Sequence, residues 1–283
     1  MQKLEIFQSL WAMEQRVPGR QERPAEENFR RVAEAGFDGL CIDPAVDEIP
    51  AMLALQPMFR KYQLKCMVNA FPHSLDDMKP LLEMAREMGA CHVNALGTAI
   101  PLTVQEGSAM VNRWLSEAAE VGIDLMFETH RDSLLNDLGY TLQLMDAVPE
   151  MRLCADLSHF VVDRELRLPL NERDRGYFDR IIERSDCFQG RVAGSEQVQL
   201  QIGFPQHQKW VGLFRGWWAQ GLRCWSERHD DSATLVFLCE LGPPPYAMTD
   251  AAGLELSDRW AEALQIRDWV RQAWTERVEA RPT

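Results

Sequence analysis

A helix end, a glycine and the start of a strand follow one another three times in this chain, and that joint limits the folds open to it. It occurs at Gly36, Gly89 and Gly122. Glycine is favoured immediately after a helix because it enters the left-handed region without a clash at Cβ. Helix-to-strand joints repeated in this way predict consecutive βα units and therefore a parallel sheet.

Apolar runs and segments with helical periodicity predict eight such units. The strands are expected at Leu4–Trp11, Asp38–Asp43, Leu64–Phe71, Cys91–Leu96, Ile123–His130, Met151–Leu157, Cys187–Val192 and Thr234–Glu240. The helices are expected at Pro24–Gly36, Ile49–Tyr62, Ser74–Met88, Ser108–Val121, Leu134–Ala147, Tyr177–Ser185, Lys209–Leu222 and Ser257–Val278.

Eight units in 283 residues predict an α/β fold, a parallel eight-stranded (β/α)8 TIM barrel, as a single domain over residues 1–283. Such a barrel commonly uses about 250 residues. A doubly wound open sheet is the alternative. No GxGxxG follows the first predicted strand, so a dinucleotide site has no support.

The charge and the amino-acid composition limit the binding partners and the cell compartment that we expect for this protein. The formal net charge of −13 repels phosphate backbones, so we expect no nucleic-acid partner. The seven cysteines show no CxxC spacing, and most, Cys91 included, lie in apolar runs. Buried reduced thiols are therefore expected, which indicates a reducing compartment. No leader-like segment and no run of about 18 apolar residues is present, so we expect a cytoplasmic protein without a membrane span.

Three apolar runs within the predicted strands each end in a carboxylate. These residues are Glu128, Asp156 and Glu240, and the last of them is followed by Gly242 and Pro243–Pro245, which cannot continue a strand. In a parallel barrel the carboxyl ends of all strands open on one face, where active sites are built. Hard divalent cations prefer carboxylate oxygens. The alternative without a catalytic role is that these acids form structural ion pairs with nearby arginines.

The segments around these acids resemble the xylose isomerase-like barrel superfamily, which includes sugar isomerases and epimerases. The resemblance is carried by Phe127–His130, Asp156–His159 and Cys239–Tyr246 on predicted strands five, six and eight, together with Gln189–Val192. The pattern of repeated units extends it over nearly the whole chain. It implies a divalent-metal-dependent enzyme that acts on a sugar or a small hydroxy-carbonyl compound.

The resemblance also implies roles for single residues. Glu128, Asp156 and Glu240 match the family's metal ligands, and His159, three residues after the aspartate, matches a residue that contacts substrate. The fourth ligand of the family comes from strand seven and is most often histidine. Here no histidine lies between residues 187 and 202, and Gln189 is the best positional match. The metal, with Mn²⁺, Mg²⁺, Zn²⁺ and Co²⁺ as candidates, is not identified by the sequence.

The implied chemistry is proton transfer at a carbon next to a carbonyl, through an enediolate that the metal stabilises. Glu128 and Glu240 would remove and return the proton from different sides, and His159 would polarise a substrate hydroxyl. Four further residues are expected to contact the substrate. These are His130, two residues after Glu128; Arg191, two residues after Gln189; and His73 and Trp11, which follow or end predicted strands.

Other functions stay open. A dehydratase of a polyol or keto-sugar begins with the same proton abstraction. A non-catalytic sugar-binding barrel is kept open by the missing strand-seven histidine. Endonuclease IV-like hydrolysis uses a three-zinc cluster with more histidines than this chain offers. The tryptophans of the predicted seventh helix indicate either helix packing or, if exposed, the interface of a homodimer or homotetramer.

Overall fold

Eight parallel strands close into a barrel in a computed structural model, which describes residues 1–279. Each strand pairs with its neighbours in chain order, and β1 pairs with both β2 and β8 to close the ring. The strands are β1 (Lys3–Ser9), β2 (Gly39–Ile42), β3 (Lys65–Ala70), β4 (Val93–Ala95), β5 (Leu125–Glu128), β6 (Leu153–Ala155), β7 (Ser185–Gly190) and β8 (Thr234–Cys239). The predicted (β/α)8 barrel is confirmed.

Helices surround the strands. They are α1 (Ala25–Glu34), α2 (Ile49–Leu53), α3 (Gln56–Tyr62), α4 (Met78–Met88), α5 (Val104–Val121), α6 (Leu138–Ala147), α7 (Leu157–Asp163), α8 (Glu172–Arg184), α9 (Gln208–Arg228) and α10 (Arg259–Glu279). Within residues 1–279, none of these helices combines the length and the apolar character needed to cross a bilayer.

The three predicted joints have the expected backbone. Gly36, Gly89 and Gly122 have φ angles of 78°, 71° and 75°, in the left-handed region, and each follows a helix. A side chain at these φ angles would be strained, so glycine sets where each helix ends and the next strand can begin.

Several helices differ from the predicted bounds, and for two of them the local reason is clear. The expected helix over Ile49–Tyr62 is two helices, and α3 carries Pro57 in its first turn, where the missing N–H is tolerated. Helix α5 begins at Val104 rather than Ser108 because Thr103 and Glu106 form a capping box. The Thr103 hydroxyl accepts from the Glu106 N–H at 3.2 Å, which satisfies a donor that the helix leaves free.

The strands separate two apolar layers. Side chains that point outward pack under the helices, whereas a smaller cluster fills the barrel interior and consists of Phe7, Cys41, Met67, Cys154, Cys187, Val236 and Leu238. All seven cysteines are free thiols. Five are buried, but the prediction of burial is wrong for Cys91, which is exposed after the C-terminal end of α4.

The tryptophans of α9 pack inside the chain. Trp217 stacks on Phe178 with 4.5 Å between ring centroids, and Trp218 meets Phe237 of β8 edge-on at 5.6 Å. Trp217, Trp218 and Trp225 are all buried. Helix packing therefore accounts for these side chains, and the oligomeric state stays a prediction.

Candidate active site

A cavity of about 440 Å³ opens at the carboxyl end of the barrel. Its position follows from the two-residue period of a strand, because a residue two places after an interior residue faces the same side. Met126 packs against the interior cluster and leads to Glu128, and Leu238 leads in the same way to Glu240. Side chains at the mouth of the cavity are therefore continuations of the barrel interior.

Glu128, Asp156 and Glu240 come together at this face. One ligand oxygen from each lies within 4.8 Å of the others, and all three residues are buried. Glu128 and Glu240 line the cavity, and Asp156 lies behind them with its side chain fully buried. Residues more than a hundred positions apart along the chain thus form a single acidic cluster.

Asp156 has a second task that the sequence analysis did not foresee. It caps α7, since its Oδ1 accepts from the Ser158 N–H at 3.0 Å and from the Ser158 hydroxyl at 2.5 Å. An aspartate at a helix N-cap satisfies a free N–H and is stabilised there. This cap explains why a helix begins directly after β6, where the sequence analysis predicted no helix before Tyr177.

Gln189 of β7 lies beside the acids. Its Nε2 donates to Glu128 Oε2 at 2.6 Å. Its Oε1 is buried and has no hydrogen-bond partner among the described residues, and the same is true of Glu128 Oε1. Two buried oxygens left without donors are costly unless a donor or a cation meets them.

Arg191 is the buried cation of the cluster. Its Nε donates to Asp156 Oδ2 at 3.0 Å and its Nη2 to Glu240 Oε2 at 2.7 Å, with the side chain only 1% exposed. Burial lowers the pKa of Arg191, but the two carboxylates outweigh that effect and raise it. The structural ion pair considered from the sequence therefore exists for Asp156 and Glu240, whereas Glu128 forms no ion pair among residues 1–279.

Two histidines lie side by side next to the cluster. The rings of His130 and His159 are 3.9 Å apart between centroids, and His159 Nε2 is 3.5 Å from Asp156 Oδ2. His130 lines the cavity, whereas His159 is 1% exposed and does not. Burial lowers the pKa of His130 to about 4 and lowers that of His159 well below its usual value, so both rings are neutral at pH 7.

Aromatic residues form the wall and the rim. Trp11 meets Tyr246 edge-on, with 5.2 Å between ring centroids. A Cβ on Gly242 would stand 2.2 Å from the Trp11 ring, so glycine is needed for this close approach. His73 is exposed at the rim, where its Nδ1 is 2.9 Å from the Thr98 hydroxyl. Trp11, His73, His130 and Arg191, all expected to contact substrate, line this one cavity.

Asp43 also lines the cavity, and the sequence analysis missed it. It follows β2, and its Oδ1 accepts from Asn69 Nδ2 at 3.0 Å. The same amide nitrogen donates to Glu240 Oε1 at 3.1 Å, so Asn69 connects Asp43 to the acidic cluster. The signal was present in the sequence, because Asp43 ends an apolar run in the same way as the other three acids.

The charges at this face do not balance. Asp43, Glu128, Asp156 and Glu240 surround a single buried guanidinium. Burial raises the pKa of Asp43 to about 7 and that of Glu240 to about 8, and it raises the pKa of Glu128 well above its usual value. Acids that hold protons so strongly are typical of a site built for a cation or for proton transfer.

The residues present fit a divalent cation. Three carboxylates within reach of one another supply the hard oxygen donors that Mg²⁺ and Mn²⁺ prefer. The unpartnered Oε1 atoms of Glu128 and Gln189 add two donors that hydrogen bonding within the protein does not use. The acidic cluster together with Gln189 is thus a candidate metal centre, and Arg191 is the feature that opposes a second cation there.

The fold and this cluster define a class, a closed (β/α)8 barrel with a buried cluster of carboxylates at the carboxyl end of its strands. The sequence itself matches no family model and no curated protein. Solved structures are similar over nearly the full length. A xylose isomerase-like TIM barrel protein from Mycobacterium smegmatis in complex with magnesium has a TM-score of 0.62 at 16% identity, covering 96% of this chain and 97% of that chain.

Two further structures extend the comparison. D-allulose 3-epimerase from Methylomonas sp. in complex with D-allulose has a TM-score of 0.62 at 14% identity, covering 96% of this chain and 97% of that chain. A probable 3-DHS dehydratase from Bacillus anthracis has a TM-score of 0.55 at 11% identity, covering 93% of this chain and 98% of that chain. This chain therefore has the fold of the xylose isomerase-like TIM barrels.

Proposed function

We propose that this protein is a divalent-cation-dependent isomerase or epimerase that acts on a small hydroxy-carbonyl compound such as a ketose. The observation that carries the proposal is the meeting of Glu128 and Glu240 in one cavity, from strands three apart in the ring, beside Asp156. Glu128, Asp156, Glu240 and Gln189 would hold the cation. When bound, the cation supplies Lewis-acid stabilisation of negative charge on substrate oxygens.

The chain's own residues account for the proton transfer. Glu128 has a free Oε1, and Glu240 is oriented by two hydrogen bonds, from Asn69 and from Arg191. In the proposed reaction one group, as the carboxylate, takes the proton next to the carbonyl, and the other, in its protonated form, gives its own proton to a different face or to the neighbouring carbon. Their buried setting favours this role, since a raised pKa makes a carboxylate a stronger base.

The remaining residues of the cavity offer hydrogen bonds and an apolar wall to a small hydroxylated compound. His130 is uncharged at pH 7 and can donate or accept hydrogen bonds to hydroxyl groups, and the buried His159 ring packs behind it. The faces of Trp11 and Tyr246 offer an apolar wall for the C–H side of such a molecule, and the cavity volume is in the range of small-ligand sites. Asp43 can accept from a hydroxyl at the other side of the cavity.

Solvent exchange tests the proposal across many candidate substrates at once. Each member of a panel of ketoses and aldoses, including D-allulose, is incubated in D2O with the protein and Mn²⁺, Mg²⁺, Zn²⁺ or Co²⁺. Proton NMR should show deuterium entering next to the carbonyl, together with an isomer or epimer. Glu128→Gln and Glu240→Gln should each slow this exchange by at least about 100-fold, the range of a lost general base. Wild-type rates in either variant would contradict the mechanism.

A dehydratase is the second candidate, favoured by the structural likeness to the probable 3-DHS dehydratase. Its reaction would begin with the same abstraction and end in loss of water, so the product of the assay above separates the two. A non-catalytic sugar-binding barrel is favoured by the Arg191 ion pairs and by the missing strand-seven histidine. If wild type converts any compound of the panel and Glu128→Gln does not, the non-catalytic barrel is excluded.

A further inference from the structure

Arg191 occupies the side of the acidic cluster that a cation would need. Its guanidinium contacts Asp156 at 3.0 Å and Glu240 at 2.7 Å. The second oxygen of each acid is also engaged, by Ser158 in one case and by Asn69 in the other. Each oxygen of two of the three carboxylates therefore accepts a hydrogen bond before any cation binds, whereas Glu128 keeps one oxygen without a donor among the described residues.

A guanidinium and a divalent cation at the same carboxylates repel each other. The interaction is strong here because the Arg191 side chain is 1% exposed and the site is shielded from water. Each cation also lowers the negative charge that the other requires. Binding of the ion should therefore be coupled unfavourably to the ion pairs of Arg191.

One nitrogen of Arg191 is left over. Its Nη1 is buried and has no hydrogen-bond partner among the described residues, although Arg191 lines the cavity. The guanidinium also lies 4.8 Å from the centroid of the Tyr246 ring and 5.9 Å from that of Trp11, so it is positioned on two aromatic faces. An unsatisfied buried guanidinium N–H is a site for an anionic oxygen, such as that of a carboxylate.

We propose that Arg191 and a divalent cation compete for Asp156 and Glu240, and that a small carboxylate in the cavity relieves the competition by pairing with the guanidinium. The cation and a hydroxycarboxylate then bind with positive coupling, each raising the affinity of the other. This inference rests on the cation of the proposed function and deepens it. It assigns a hydroxy- or ketocarboxylate as the substrate class that the metal-loaded site favours over an uncharged polyol.

Binding of Mn²⁺, followed through the EPR signal of the free ion, tests the proposal without any turnover. Arg191→Gln should bind Mn²⁺ at least 10-fold more tightly than wild type. Arg131→Gln is the matched control, because Arg131 contacts the same Tyr246 ring at 5.4 Å but is exposed and forms no ion pair with the cluster within residues 1–279. The control should bind Mn²⁺ within about twofold of wild type, since it removes only a screened surface charge.

The second arm uses wild-type protein, so it does not depend on how well a variant folds. Saturating glycolate should raise the Mn²⁺ affinity several-fold, and ethylene glycol, its uncharged counterpart, should not. The glycolate effect should persist in Arg131→Gln and vanish in Arg191→Gln. Arg191→Gln could be poorly folded without metal. In that case we expect Mn²⁺ to raise the melting temperature of the variant by more than it raises that of wild type.

The outcomes separate this inference from the proposed function. Equal or weaker Mn²⁺ binding by folded Arg191→Gln, or equal effects of glycolate and ethylene glycol on wild type, would overturn the competition and leave the enzyme proposal standing. Absence of Mn²⁺ binding in all three proteins would overturn both. Solvent exchange on a ketose, together with no effect of glycolate on Mn²⁺ affinity, would support the proposed enzyme activity and overturn the carboxylate as the favoured substrate class.

Discussion

Replacement of Asp43 by asparagine should stabilise the metal-free protein, and increasingly so as the pH rises. Burial raises the pKa of Asp43 from 3.8 to about 7. The folded state therefore retains a proton that the unfolded chain loses, so this contribution to stability is present below pH 3.8 and is lost as the pH rises through 7. Asparagine is uncharged throughout and keeps an oxygen that can accept from Asn69.

The magnitude follows from the two pKa values. A tenfold change in proton affinity corresponds to about 1.4 kcal/mol, so the ionisable carboxyl of Asp43 destabilises the folded state by about 2 kcal/mol at pH 5 and about 4 kcal/mol at pH 8, as upper bounds. The advantage of Asp43→Asn over wild type should therefore grow by about 2 kcal/mol between these values. Urea unfolding in EDTA, followed by tryptophan fluorescence at pH 5, 6.5 and 8, measures it.

Asp47→Asn is the control, because Asp47 is an exposed aspartate in the turn that follows β2. Its effect should stay within about 0.5 kcal/mol at every pH. An advantage of Asp43→Asn that does not change with pH, or a variant less stable than wild type at pH 8, would refute the reasoning. Either result would mean that Asn69 and Arg191 hold Asp43 ionised, and burial would not be the dominant effect.

The remaining predictions concern stability and metal binding. Burial raises the pKa of Glu262 to about 7. The free energy of unfolding of Glu262→Gln, relative to that of wild type, should therefore increase by roughly 2 kcal/mol between pH 5 and 8, again measured by urea unfolding. Gly221→Ala should destabilise by roughly 1–3 kcal/mol because its Cβ would stand 2.4 Å from the Phe188 ring. A Cβ at Gly216 on the same helix would meet nothing within 4 Å, so Gly216→Ala should stabilise the fold by up to about 1 kcal/mol. If both variants shift the melting temperature in the same direction, this packing is contradicted. Saturating Mn²⁺ should raise the melting temperature more at pH 8 than at pH 6, because protons compete for the cluster's raised-pKa carboxylates; a shift that does not depend on pH would contradict this.

The fold could be predicted from the sequence because its signals are local. Each glycine joint depends on one backbone conformation, and each strand on a short apolar run, so neither depends on distant residues. The gathering of Glu128, Asp156 and Glu240 at one face then follows from the barrel, because parallel strands align their carboxyl ends. By the same pattern Asp43 could have been included, since it directly follows β2 just as Glu240 directly follows β8.

The contacts made by long or bifunctional side chains could not be predicted in this way. Arg191 was expected to face the cavity, but the period of a strand does not say which acids a guanidinium reaches. Asp156 was considered as a metal ligand or an ion-pair partner, and its role as the N-cap of α7 depends on where the chain turns after β6. The bridge made by Asn69 between Asp43 and Glu240 joins strands that are not neighbours in sequence, and no local pattern encodes it.

Glu128 is the residue that distinguishes a functional cluster from a structural one. Arg191 forms ion pairs with both Asp156 and Glu240, and if stability were the only requirement, a buried network of those three groups would not need a further acid. A third carboxylate beside them, 1% exposed and with one oxygen lacking a donor among the described residues, adds an uncompensated cost. Gln189 donates to its other oxygen and presents a second free oxygen, which would be a poor choice for a merely structural partner. The unpaired oxygens of these two residues therefore argue for a ligand that brings positive charge or a proton, and a purely structural cluster offers neither.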